Sequence, residues 1–177
     1  MPLFIASMMF VTAEAMALDF KGIKLGEQLW TSEERSVFGT LDCNPMDLGA
    51  DEYRDYVQEM QPIVPGVRKV CVATTSIATV PADVTVVLGS SRRVLRMTFQ
   101  FAVESYTQII QAMTEKWGEG DAEVRDQFDE SVWWLFSDGT SISVHRMPIN
   151  DATNVDRFSL IGLVEYALPA ITPVGDL

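Results

Sequence analysis

Histidine is almost missing from this chain: there is one, His145, in 177 residues. A single imidazole excludes H-E-x-x-H and every other metal motif that needs two histidines. Any Ser-His or Cys-His nucleophile would have to use His145, and no G-x-S-x-G accompanies it. Phosphate loops are missing as well, since neither G-x-x-x-x-G-K nor G-x-G-x-x-G occurs. The nearest approach, Gly118-Glu119-Gly120, follows a helix pattern where a phosphate loop would precede one. Basic residues are scarce, 13 against 25 acids, for a formal net charge of −12. Neutralising phosphates takes clustered Lys and Arg, so nucleic acid and anionic membrane surfaces are disfavoured partners. The one dense cluster, Arg92, Arg93 and Arg96, lies in a strand pattern. No apolar run reaches the roughly 18–20 residues of a transmembrane helix.

What is there is an ordinary globular composition, 47% hydrophobic and 21% charged. That suits one domain, 18–167, with possible halves 18–104 and 105–167 and a loose tail, 168–177. Residues 3–11 hold one hydroxyl and no charge, and A-E-A and A-M-A follow. An apolar run followed by small-x-small is the pattern of a secretory signal peptide, here 1–17, cut after Ala15 or Ala17. Its first residues, Met1-Pro2, lack the usual Lys or Arg, so a retained N-terminal element is the alternative. Cys43 and Cys71 are the only cysteines. In an oxidising compartment an even pair forms a disulfide, and its loop of about 28 residues would stabilise by roughly 3–4 kcal/mol. Two free buried thiols in a cytosolic protein are the alternative. The spacing suits neither C-x-x-C chemistry nor zinc, and no cofactor is implied.

The order of elements is strand, helix, helix, three strands, helix, three strands. LDFKGIKLG reads as a strand with a glycine turn, and EQLWTSEERSVFG as a helix closed by Gly39. DEYRDYVQEM places Tyr53, Val57 and Met60 on one helix face. RKVCVATT, VTVVLG and VLRMTFQFAVE are strands. The last alternates, with Leu95, Met97, Phe99, Phe101 and Val103 on one face and Arg96, Thr98 and Gln100 on the other. SYTQIIQAMTEKWG is a helix with an S-x-x-Q capping box, Ser105 and Gln108, and a closing Gly118. Two further strands flank Asp138-Gly139, a hairpin signal, and RFSLIGLVEYAL ends the set. The fold class is α+β: helices on one face of an antiparallel sheet, in two helix-plus-three-strand units.

Carboxylates offer two weak sites. Asp51, Asp55 and Glu59 make a like-charge row on one helix face, best solvated. Glu119, Asp121, Glu123 and Glu130 match positions 1, 3, 5 and 12 of a calcium loop, but Val124 stands where that loop requires glycine. The hairpin is more informative. A two-residue turn at Asp138-Gly139 pairs Phe136 with Ser141, Trp134 with Ser143 and Val132 with His145. Trp133, Leu135, Ile142 and Val144 then face the core. Trp134, Phe136, Ser141, Ser143 and His145 form a mixed outer face suited to recognition. Arg96 and Gln100 extend it if their strand lies alongside.

FKGIKLG, a helix ending K-W-G and a W…DGT…I-V hairpin together resemble small exported bacterial α+β proteins of unknown function. The helix-plus-three-strand unit is also similar in topology to β-lactamase-inhibitor proteins and to the small lipoprotein of outer-membrane assembly. These work by binding protein, so the resemblance implies a protein partner. The leading expectation is a non-enzymatic exported module, periplasmic or secreted: an inhibitor, immunity factor or envelope accessory protein. The alternatives are a carboxylate-based hydrolase of envelope polysaccharide, and a cytosolic regulatory or ligand-binding domain that keeps its N-terminus.

Overall fold

A computed structural model of the chain describes residues 19–44, 48–125, 129–150 and 158–168. The signal-like segment 1–17 lies outside the described residues, as does the tail from 169 onward. The described chain opens on a small hairpin, β1 (Asp19–Phe20) and β2 (Ile23–Lys24). Its turn residues, Lys21 and Gly22, both take positive φ, as a two-residue hairpin loop requires. The hairpin delivers Phe20 and Ile23 into the core. Helix α1 (Thr31–Val37) starts where the Trp30 N–H donates to the Glu33 carboxylate at 2.9 Å. Helix α2 (Ala50–Glu59) starts the same way, from the Gly49 N–H to Glu52 at 3.0 Å. The Asp51, Asp55 and Glu59 row is exposed, and Arg54 bridges the first two.

Seven strands make one sheet: β3 (Lys69–Ile77), β4 (Val80–Leu88), β5 (Val94–Ala102), β6 (Asp121–Val124), β7 (Glu130–Leu135), β8 (Ser141–Asn150) and β9 (Phe158–Ala167). Their order is β3-β4-β5-β9-β8-β7-β6, antiparallel at every step. The molecule is therefore α+β with a sheet-dominated core, and the strands of the two halves join through β5 and β9 in a single sheet. Strand β6 is an addition, formed from part of the acidic loop.

The inner face carries Val84, Val86, Met97, Phe99, Val164 and Tyr166, all at or near zero exposure. Helix α3 (Tyr106–Trp117) covers it through Tyr106, Ile109 and Met113. Gly162 is obligatory there, because a Cβ would lie 2.1 Å from the Phe101 ring. The expected capping box does not form. Ser105 makes no side-chain cap bond, and Gln108 instead donates to the Ala78 carbonyl and to Thr79 Oγ1. It braces the β3–β4 turn, whose residues Ala78 and Thr79 hold φ of 48° and 68°. Gly118 closes α3 at φ 83° as expected.

The alternation in β5 holds for Met97, Phe99 and Phe101 and breaks at Leu95. Val87 opposes Arg96 while Leu88 opposes Val94, so Leu95 is the extra residue of a bulge. Val94 takes its core place, and Leu95 joins a second cluster with Val64, Val67, Val70 and Val87. Tyr56, Val57 and Met60 of α2 pack on that cluster. Val70 and Val87 lie in the cross-strand row of Arg96, so α2 sits on the face opposite α3. The α+β fold thus carries helices on both faces of the sheet, where one face was expected. Val103 leaves the strand in a 3-10 turn.

The two sheet edges differ. Along β3, Val72 exchanges two backbone hydrogen bonds with Asp42, at 2.8 and 2.9 Å. The Tyr53 hydroxyl accepts from the Val70 N–H at 3.0 Å and donates to its carbonyl at 3.2 Å. A Cys43–Cys71 disulfide pins the covering segment. These contacts cover the edge at Val70 and Val72. At the other edge, all four residues of β6 are exposed.

Candidate functional site

The β7–β8 hairpin sits one residue away from the expected register. Leu135 opposes Ser141, Trp133 opposes Ser143 and Ser131 opposes His145. The connection is five residues, 136–140, in place of two. The Phe136 N–H donates to the Thr140 carbonyl at 3.0 Å, and the Gly139 N–H to the Phe136 carbonyl at 2.9 Å. The Asp138 carboxylate accepts from the Thr140 N–H at 2.9 Å and hydroxyl at 2.6 Å. Those bonds hold the Asp138 carboxyl below its ordinary range.

A one-residue slip moves every side chain to the opposite face. Trp134 is 5% exposed and lies in the core. Phe136 packs against the core, edge-on to Trp117 at 6.2 Å. Both therefore leave the outer face, and Trp133 and Leu135 replace them. Leu135 is 77% exposed and Trp133 half-buried. Sequence reasoning missed these two. The available signal was Asp138 two residues before Thr140, whose side chain can close a longer turn on the backbone.

The remaining candidates do share one face. Strand β9 lies between β5 and β8, so Arg96 and Gln100 reach the hairpin across it. One cross-strand row runs Trp133, Ser143, Glu165, Thr98, Thr85. The next runs Ser131, His145, Leu163, Gln100, Asp83. Arg96 is ion-paired with Glu165. His145 is held at both ring nitrogens, Nδ1 by Ser131 Oγ and Nε2 by Ser143 Oγ, each at 2.8 Å. In the neutral imidazole one serine donates and the other accepts. The Trp133 ring meets the His145 ring edge-on, 6.5 Å between centroids. Burial lowers the His145 pKa; Glu165 and Asp129 oppose that shift and Arg125 adds to it.

A serine hydroxyl on an imidazole is half of a nucleophile–base pair. The other half is not offered here. Ser131 and Ser143 are buried at 7% and 8% exposure. Around Ser131 and Ser143 the strands are paired on both sides, so the backbone N–H groups beside these serines belong to the ladders and are not free to hold an oxyanion. Among the described residues, no group of three metal-ligating side chains sits together.

The face ends in a shallow cleft of about 450 Å³ lined by Thr74, Pro81, Asp83, Gln100, Ala102 and Glu104. It opens where β4 and β5 part: their pairing stops at Asp83 and Gln100, and Pro81, with no N–H, cannot extend it. Compared with protein-family models, curated proteins and solved structures, the chain matches none.

Proposed function

We propose that this protein is a non-enzymatic exported module, periplasmic or secreted, that captures a protein partner on the outer sheet face around Trp133. The observation that carries the reading is exposed Leu135 beside half-buried Trp133 on a face that also carries Ser131, Ser143, His145, Leu163 and the Arg96–Glu165 pair. An aromatic anchor inside a polar, hydrogen-bonding surround is the composition of an interface centre. The Cys43–Cys71 disulfide supports an oxidising compartment. The roles that suit such a module are inhibitor, immunity factor or envelope accessory protein.

The test is capture of a partner from the cell's own envelope and secreted fractions by the wild-type chain and by Trp133→Ala and Leu135→Ala. A specific partner retained by the wild type and lost by Trp133→Ala, with unchanged melting, supports the reading. Equal capture by all three proteins would falsify it.

One observation favours a second reading. Asp83 and Glu104 both line the cleft, and two carboxylates across a cleft suit glycoside hydrolysis. Release of reducing ends from envelope polysaccharide, abolished by Asp83→Asn, would establish it; no release at high enzyme concentration removes it.

A further inference from the structure

The open edge at β6 contrasts with the β3 edge, which Asp42 and Tyr53 cover at Val72 and Val70. The Arg125 N–H donates to the Asp129 carbonyl at 2.9 Å, which sets the phase of the β6–β7 ladder. Antiparallel pairs alternate between hydrogen-bonded and non-hydrogen-bonded. Glu123 with Ser131 and Asp121 with Trp133 are therefore bonded pairs, and Ala122 with Val132 and Val124 with Glu130 are not. The N–H and C=O groups of Ala122 and Val124 point away from the sheet. Among the described residues nothing pairs with them. They form a two-residue-step template for another strand. The side chains add a pattern: Ala122 and Val124 share one face, with Val124 65% exposed, and Asp121 and Glu123 share the other.

We propose that β6 docks one extended, basic segment of a partner protein, which adds to the sheet as an eighth strand. This goes beyond the outer-face reading, because it rests on the backbone of β6 and not on the side chains of β7 and β8. The occupant follows from charge. Asp121 and Glu123 need cations opposite them, and Glu119 just before the strand adds to the field. Arg125 answers only part of this, reaching Glu123 at 3.3 Å and Asp129 at 3.7 Å. A second copy is disfavoured by the formal charge of −12. Self-pairing centred on Ala122 or on Glu123 also sets carboxylate against carboxylate, and pairing centred on Val124, which sets Glu123 opposite Arg125, is opposed by the net charge alone. The carboxylates that deter self-association thus select the partner. The incoming strand alternates, with apolar residues opposite Ala122 and Val124 and Lys or Arg opposite Asp121 and Glu123.

The probe is a synthetic ten-residue peptide of alternating Lys and Val, titrated into the labelled full-length protein while amide exchange is followed by NMR. Saturable binding is expected, with at least about tenfold slower exchange at the Ala122 and Val124 amides. Methylating the valine nitrogens of the peptide should abolish binding while leaving its charge intact. Asp121→Lys with Glu123→Lys should weaken it by about tenfold or more, and an alternating Glu and Val peptide should not bind. Binding that spares the Ala122 and Val124 amides, or survives valine N-methylation, overturns the proposal. So does an absence of binding at millimolar peptide. Sedimentation of the unliganded protein as a dimer with those amides already protected would overturn it in favour of self-pairing.

Discussion

The indole N–H of Trp134 donates to the main-chain carbonyl of Gly118 at 2.8 Å, tying the end of α3 to β7, the strand beside the β6 edge. Gly120 completes the seat, because a Cβ there would lie 2.7 Å from the Trp134 ring. The Gly118-Glu119-Gly120 stretch is thus a cradle for an indole. Trp134→Ala should cost about 3–5 kcal/mol, the range for deleting a buried aromatic. Trp134→Phe keeps much of the packing but strands the bond, and should cost about 1–2 kcal/mol. Trp133→Ala should stay within about 1 kcal/mol of wild type. Urea midpoints at constant slope check all three; a large loss from Trp133→Ala would mean that the outer face is structural.

That contrast shows where the sequence was legible. Strand β8 admits one reading, since only Ile142 and Val144 can face the core, and Ser141, Ser143 and His145 follow to the outer face. Strand β7 is apolar on both sides, Val132 and Trp134 against Trp133 and Leu135, so only the turn could decide its register. The turn was ambiguous because Asp138-Gly139 also fits a longer loop closed by Thr140. The stripe of α3 and the Met97, Phe99, Phe101 face of β5 were legible because period alone fixes them. The bulge at Leu95 depends on β4, which no local pattern reports. Strand β6 has two carboxylates in four residues and little strand propensity; it exists because Gly120 allows the chain to lie close beside β7.

Tyr106 is 6% exposed, and among the described residues its hydroxyl has no hydrogen-bond partner. Burial, helped by Glu130 and opposed by Arg146, pushes its pKa up to about 12. The unfolded side chain titrates near 10.0. Between those values the folded state holds the proton and the unfolded state loses it, so stability falls as pH rises through that window. Tyr106→Phe should be neutral or slightly stabilising at pH 7, because it removes an unpaired buried group. It should also flatten the alkaline slope. Urea midpoints from pH 8 to 11 decide; a clear loss of stability at pH 7 would show that the hydroxyl is bonded.

His145 works in the opposite direction. Its folded pKa lies below the ordinary 6.5, mainly through burial between Ser131, Ser143 and Trp133. The unfolded chain therefore takes up the proton first as pH falls. The stability contributed by neutral His145 is complete above 6.5 and is lost as pH drops through the lower folded value. His145→Gln should remove that part of the acid slope. The comparison is of urea midpoints between pH 5 and 8, wild type against variant. Parallel curves would mean that His145 titrates normally.

The covered part of the β3 edge makes the last prediction, because two devices hold it. Asp42 pairs with Val72 beside the Cys43–Cys71 disulfide, and Tyr53 covers Val70 from α2. Cys43→Ala with Cys71→Ala removes the constraint on a sequence separation of 28, worth about 3–4 kcal/mol in the chain-entropy model. The variant should also free the segment around Asp42, so that the Val72 amide exchanges faster while the Val70 amide stays protected. Tyr53→Phe should do the reverse, exposing Val70 and sparing Val72. Amide exchange on both variants reads the two devices separately. If both amides open together in either variant, the edge is closed by one cooperative unit, and the disulfide protects Val70 through α2 as well as Val72 directly.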